Sequence, residues 1–198
     1  MQTTSQAIKA YAEALPEGAT LSARELLHLG ERAAVDQALS RLVRRGELLR
    51  VKRGLFALPM KTRFGSRAPS VEAVVEHIAK STGERVSQSG ASAANLLGIS
   101  TQNPSRQVFW TSGPSRHLKL GAQSVELKHV PSWQLRAPNS RAGHAFRALA
   151  YFGKSEAAHA LRRIKATLNE EEQRELLSLR ASAPTWMAKE LSALVPSQ

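Results

Sequence analysis

The chain has 198 residues, with 28 Lys and Arg against 16 Asp and Glu and a formal net charge of +12. That length can bury a core as one large domain or two small ones, and the charge points to a polyanionic partner, because neutralising phosphates releases counterions. The absence of cysteine excludes disulfides and Cys-based metal sites.

Residues 1–20 lack the basic start and apolar run of a signal peptide, since Lys9, Glu13 and Glu17 interrupt them. No apolar stretch approaches the ~20 residues that span a bilayer. A soluble cytoplasmic protein with no membrane partner is expected. Ser5 to Leu15 predicts a short helix with Ala7, Ile8, Tyr11, Ala12 and Leu15 at helical spacing, closed by Pro16-Glu17-Gly18. Ser22-Ala23-Arg24-Glu25 has the form of a capping box. It predicts a second short helix, with Leu26, Leu27 and Leu29 on its apolar side and Gly30 as its end.

A third helix is expected from Glu31 to Arg45, with Gly46 as its stop. Val35, Ala38, Leu39 and Leu42 fall at i, i+3, i+4 and i+7 and must face a core. Arg32, Asp36, Gln37, Ser40, Arg41, Arg44 and Arg45 take the opposite side. Glu47 to Val51 and Leu55 to Leu58 read as two strands joined by Lys52-Arg53-Gly54, where Gly54 supplies a positive φ.

Two short helices joined by a turn, the second rich in Arg and Gln, followed by a basic hairpin, have the order of a winged helix-turn-helix. A helix fits the major groove of double-stranded DNA, and a basic hairpin reaches the flanking phosphates. Residues 1–60 are therefore expected to form a DNA-binding domain. Arg32, Gln37, Ser40 and Arg41 are the candidates for base edges, since Arg suits guanine and Gln suits adenine. Arg44, Arg45, Lys52 and Arg53 are the candidates for phosphate. Asp36 would repel phosphate and is expected to pair with Arg32 or Arg41. Any one of these residues also reads as a solvated face, and Arg44-Arg45 complements the negative end of the helix dipole. The order of the elements carries more than any single side chain, although winged helices also mediate protein contacts.

Pro59 to Pro69 is rich in Pro, Gly, Ser and basic residues and reads as a linker, drawn over residues 61–69. Residues 1–68 hold 12 Lys and Arg against 6 Asp and Glu, half the net charge in the first third of the chain. Residues 70–198 are expected to form a mixed domain, which makes the protein α+β overall. Ser70 caps a helix to about Ser81, and Ala91 to Leu97 forms a small-residue helix. Gln107 to Ser112, Leu118 to Leu120 and Ser124 to Val130 read as a small antiparallel sheet. Helices follow from Arg141, over Ala157 to Leu168, over Glu170 to Ala181, and from Thr185.

No catalytic constellation emerges, so no enzyme, cofactor or metal is expected. Glu126-Leu127-Lys128 has the form of half a restriction-type nuclease site, yet no suitable Asp lies in the strand before it. The six histidines, at 28, 77, 117, 129, 144 and 159, lack ligand spacing. Gly90-Ala91-Ser92 and Gly113-Pro114-Ser115 lack the spacing and lysine of a phosphate loop. Trp110, Trp133 and Trp186 read as core, with Trp133 beside Pro131 as an alternative contact surface.

The segment VDQALSRLVRRGELLRVKRGLFALP, residues 35–59, resembles the winged helix of the AbiEi-type antitoxins. Residues 89–98, SGASAANLLG, then Thr111-Ser112-Gly113-Pro114-Ser115-Arg116 and Pro184-Thr185-Trp186-Met187 are similar to the associated domain of DUF-type relatives of that family. The likeness spans residues 5 to 192. It implies an antitoxin of a type IV toxin–antitoxin system, linked to abortive phage defence, that binds repeats in its own operator and represses its operon. It also implies that the carboxy-terminal domain counteracts a toxin of nucleotidyltransferase fold without needing a stable complex with it. No catalytic residue carries over. The alternative is a stand-alone winged-helix regulator whose second domain binds a ligand or protein.

Overall fold

The computed structural model describes residues 3–101 and 106–194. Helices and mainly antiparallel strands make the protein α+β, and the chain divides into two compact units. The first comprises residues 1–84 and 117–125, the second 85–116 and 126–198.

In the first unit, Thr3 and Gln6 form a reciprocal cap that opens α1 (Thr4–Glu13). The chain then turns at Gly18, whose φ is +79° and where an added Cβ would lie 2.5 Å from the Ala73 Cβ, leaving no room for a side chain. β1 (Thr20–Ser22) follows, an element the sequence did not announce. The expected capping box forms: the Ser22 amide donates to Glu25 Oε2 at 2.6 Å and the Glu25 amide to Ser22 Oγ at 3.3 Å. It opens turns and a single 3-10 turn over Leu27–Leu29, not an α-helix. Leu26, fully buried, pins the segment in its turn.

α2 (Arg32–Arg44) buries Val35, Ala38, Leu39 and Leu42, the four positions the spacing selects. β2 (Leu49–Lys52) and β3 (Leu55–Ala57) pair antiparallel across Arg53-Gly54, with a register irregularity between Arg50 and Lys52. β1 pairs with the other side of β3, placing Leu21 opposite Phe56, so the sheet order is β1-β3-β2. Ile8, Leu21, Leu26, Leu39, Leu42 and Phe56 close one core beneath it. Each such side chain contributes roughly 1.5–3 kcal/mol by leaving water.

The stretch read as a linker is structured. β4 (Met60–Thr62) and β5 (Gly65–Arg67) form a hairpin, and Ser70 caps α3 (Val71–Thr82) by accepting from the Ala73 amide at 3.2 Å. The Thr20 amide donates to His77 Nδ1 at 3.1 Å, tying α3 to β1. The first unit accordingly runs to Glu84, past the boundary at residue 60 that composition suggested. Pro, Gly and Ser mark tight hairpin ends as readily as they mark linkers.

Next come β6 (Val86–Gln88), α4 (Gly90–Leu96), β7 (Gln107–Thr111), β8 (Arg116–Leu120) and β9 (Gln123–His129). The sheet order is β6-β7-β9-β8, with β6 antiparallel to β7. In the second unit α5 (Arg141–Thr167) joins the two helices expected after Arg141 and breaks at Gly153, with φ 74° and ψ 178°. Asn169 and Glu172 form the box that opens α6 (Glu170–Ser178), and α7 (Thr185–Ser192) ends the described chain. Phe146, Leu149, Leu161, Ile164, Leu176 and Met187 centre this core. Trp133 packs edge-on against Phe146 at 5.9 Å, and so serves the core.

Candidate nucleic-acid interface

With the four apolar residues of α2 fixed inward, helical geometry orders the rest. At about 100° per residue, Gln37, Ser40, Arg41 and Arg44 share an arc of about 100° directly opposite the core. Gln37, Arg41 and Arg44 are exposed and Ser40 is half-buried. Arg32 lies on one flank of that arc and Arg45 on the other. Of the four residues expected at base edges, three therefore face outward together and one stands aside.

Hydrogen bonds and ion pairs sharpen this division. Arg32 Nε meets Asp36 Oδ2 at 2.9 Å, so Asp36 takes Arg32 and not Arg41. The Ser40 hydroxyl donates to the Asp36 carbonyl at 2.9 Å, which leaves it only its acceptor capacity for a ligand. Arg45 Nε lies 2.5 Å from Glu47 Oε1, and Lys9 Nζ lies 2.9 Å from Glu47 Oε2. Hydrogen bonding to Lys9, and then to Arg45, holds the Glu47 carboxyl below the usual carboxylate range, while Glu47 raises the Lys9 ammonium. Arg45 is thus partly committed to its own protein. Among the described residues, Arg41, Arg44, Lys52 and Arg53 have no such carboxylate partner.

The β2–β3 hairpin places Lys52 and Arg53 in solvent at its turn. Gly54 takes a φ of +74° there, with open space around it, so the requirement is conformational. Val51 is buried while Arg50 and Lys52 are exposed. Arg50, which sequence reasoning passed over, stacks its guanidinium over the Phe56 ring at 5.6 Å. Arg50 and Phe56 are cross-strand partners, so the cation lies on the face of the hairpin that Phe56 occupies, at its exposed margin. A further signal lay in the sequence: from Leu48 to Val71 there are six Lys or Arg and no Asp or Glu.

The second unit holds its most unusual cation inside. Arg147 is fully buried, donating to the carbonyls of Arg136 at 3.2 Å and Pro138 at 2.8 Å, and burial pushes its pKa down to about 10. Its two carbonyl partners hold the loop at Ala137, the one non-glycine residue with positive φ among the described residues. This is a structural clamp. Glu126 and Lys128 lie on β9, and no three His, Asp or Glu side chains among the described residues gather as a metal site would require. No helix among them is long and apolar enough to cross a membrane.

A family model described as a family of unknown function, DUF6088, matches residues 7–176. The chain belongs to this family. No curated protein matches it significantly. Among solved structures, the crystal structure of the RV2827C protein from Mycobacterium tuberculosis is similar, with a TM-score of 0.52 and 19% identity. The match covers 97% of this chain and 75% of that one. At that identity the likeness concerns the fold. The DUF6088 family and its structural neighbour bring no activity with them, and the function of this DUF6088 chain rests on its own residues.

Proposed function

We propose that this DUF6088 protein is a double-stranded-DNA-binding repressor of its own operon, acting as the antitoxin of a type IV toxin–antitoxin system. The observation that carries the DNA reading is the outward arc of α2, where Gln37, Arg41 and Arg44 stand together without acidic partners. The hairpin bearing Arg50, Lys52 and Arg53 follows directly in the chain. The order α1, β1, 3-10 turn, α2, β2, β3 with sheet order β1-β3-β2 supports a winged helix-turn-helix, its second helix shortened to one turn. In this reading Gln37 and Arg41 read bases, while Arg44, Arg50, Lys52 and Arg53 hold phosphates. Arg32, Ser40 and Arg45 contribute less, because each is already engaged within the protein. The antitoxin role and the nucleotidyltransferase-like toxin follow from the resemblance to AbiEi-type antitoxins.

A stand-alone regulator with a ligand-binding second unit is the second reading. It is favoured by an open cavity of about 460 Å³ lined by Ile99, Thr101, Tyr151, Phe152, Glu156 and Arg163.

Fluorescence anisotropy on the chain's own upstream duplex and on a scrambled one, across a salt series, tests the DNA reading. Preference for the upstream site that survives added salt supports it. Equal binding that disappears with salt on both duplexes reduces the arc to a basic surface. Co-expression with a growth-arresting protein of nucleotidyltransferase fold encoded beside this chain separates the two readings: rescue of growth marks an antitoxin, and the lack of such a neighbour or of rescue marks a regulator.

A further inference from the structure

The side chain least explained by folding is Phe64. It is 86% exposed, the most solvent-exposed large hydrophobic residue described, and it sits at the tip of the β4–β5 hairpin. The tip is held in shape. The Phe64 amide donates to Thr62 Oγ1 at 3.2 Å, and the Thr62 hydroxyl donates to the Gly65 carbonyl at 2.8 Å. Gly65 takes a φ of +115°, a conformation that side chains resist. The Arg63 guanidinium lies over the Phe64 ring at 4.6 Å and, among the described residues, has no carboxylate partner.

Two surface ion pairs reach the stem. Lys61 Nζ lies 3.8 Å from Glu13 Oε1 and Arg67 lies 3.5 Å from Glu17 Oε1, joining the base of the hairpin to the end of α1 and the turn after it. Lys61 and Arg67 thus each have a carboxylate within reach, while Arg63 at the tip lies against the Phe64 ring.

We infer that the β4–β5 hairpin is a second DNA-contacting element, with Phe64 wedging at a base-pair step in the minor groove and Arg63 lying along that groove. The inference rests on the DNA-binding reading of α2 and adds a separate contact to it. Three observations select this partner. The hairpin belongs to the acid-free run from Leu48 to Val71, so its charge complements a polyanion. Strands of three residues extend about 10 Å, enough for a minor groove about 7.5 Å deep. An apolar wedge beside an arginine matches what that groove accepts, since its negative potential draws Arg and a base step admits an inserted ring.

The test uses the full chain and anisotropy on a labelled duplex from its own upstream region, with wild type, Phe64→Ala, Phe64→Trp and Arg63→Ala compared across salt. Phe64→Ala is expected to weaken binding about tenfold, the scale of one lost ring contact with bases, without changing the salt slope. Phe64→Trp restores affinity, and Arg63→Ala lowers the slope by about one. Resonance energy transfer between the duplex ends is expected to show a bend that Phe64→Ala reduces. Because Phe64 touches solvent, circular dichroism of the variant should match wild type. Unchanged affinity and bend in Phe64→Ala, with wild type and Arg41→Ala still separated, overturns the wedge and leaves the DNA reading standing. Absence of wild-type DNA binding overturns both. Sedimentation with phosphatidylserine vesicles that requires Phe64, with DNA affinity untouched by its loss, overturns the wedge in favour of a lipid surface.

Discussion

The first unit carries 14 Lys and Arg against 9 Asp and Glu, and the second carries 14 against 7. Their net charges are close, but the cations are deployed differently. In the first unit Arg41, Arg44, Lys52, Arg53 and Arg63 stand in solvent on one helix face and two hairpin turns. In the second, Arg147 is sealed in the core and Arg141 binds both Glu172 and the Thr167 carbonyl. The acids there gather in the first turn of α6, where the helix dipole favours them. Net charge therefore does not locate an interface. The charge excess of residues 1–68 loses its weight as an argument once the first unit extends to Glu84 and takes in residues 117–125. What remains is the grouping of unpaired cations on shaped elements.

The strongest way to break this contrast is to disrupt the second unit alone. A Cβ on Gly143 would lie 1.7 Å from the Ala137 carbonyl oxygen, and Arg147 pins the loop on both sides of that residue. Gly143→Ala is expected to cost about 4 kcal/mol or more. All three tryptophans, Trp110, Trp133 and Trp186, belong to this unit, so their fluorescence reports its unfolding. Urea titration should show an early Trp transition while duplex affinity stays within about twofold. Loss of both signals together would mean that the two units fold as one.

Next in size are Arg41→Ala and Arg44→Ala. Each is expected to cost roughly 1–3 kcal/mol in duplex binding. Arg41→Ala should flatten the preference between upstream and scrambled duplexes, whereas Arg44→Ala should weaken both alike and reduce the salt slope. Identical behaviour of the two variants would dissolve the division between base and phosphate contacts.

The sequence made the core face of α2 legible because a helix repeats its inward positions at fixed spacing, and Val35, Ala38, Leu39 and Leu42 filled every one. It made the basic turn legible because Gly54 marks where the chain must reverse. It misled at Ser22, where a genuine cap pattern preceded turns and a single 3-10 turn in place of an α-helix. β1, β4 and β6 have three residues each, too few for any period to show, and the partners of β1 and β6 are distant in sequence. Within the candidate interface, exposure followed from periodicity and Asp36 was expected to take Arg32 or Arg41, but the partners of Ser40 and Arg45 did not follow. The first depends on the rotamer that turns the Ser40 hydroxyl to the Asp36 carbonyl, the second on where Glu47 points, and composition encodes neither. Phe64 escaped notice because a lone aromatic reads as core until its neighbours are placed.

A smaller effect separates the units by pH. His144 is half-buried, and burial, aided by Arg147 and Arg141, holds its pKa below the usual value of 6.5. The unfolded chain takes up that proton more readily, so the contribution of neutral His144 is complete above the unfolded pKa. It is lost as pH falls through the lower, folded value. The Trp-monitored urea midpoint is expected to drop between about pH 7.5 and about pH 5.5, and His144→Gln should shrink that drop. An equal drop in the variant would assign the pH dependence to other groups.

The smallest predicted change concerns two adjacent arginines. Arg44 and Arg45 are both exposed at the end of α2 and are indistinguishable by composition, but Glu47 holds only Arg45. A guanidinium already paired must give up part of that contact to reach a phosphate, so its net gain is smaller. Arg45→Ala should therefore lower duplex affinity by at most about threefold, well short of Arg44→Ala. Glu47→Gln removes the competing charge and should raise affinity slightly, with a steeper salt dependence as Arg45 and Lys9 become available to phosphate. If Arg45→Ala proves as damaging as Arg44→Ala while Glu47→Gln changes nothing, the ion pair opens on binding, and the flank of α2 belongs to the interface as fully as its centre.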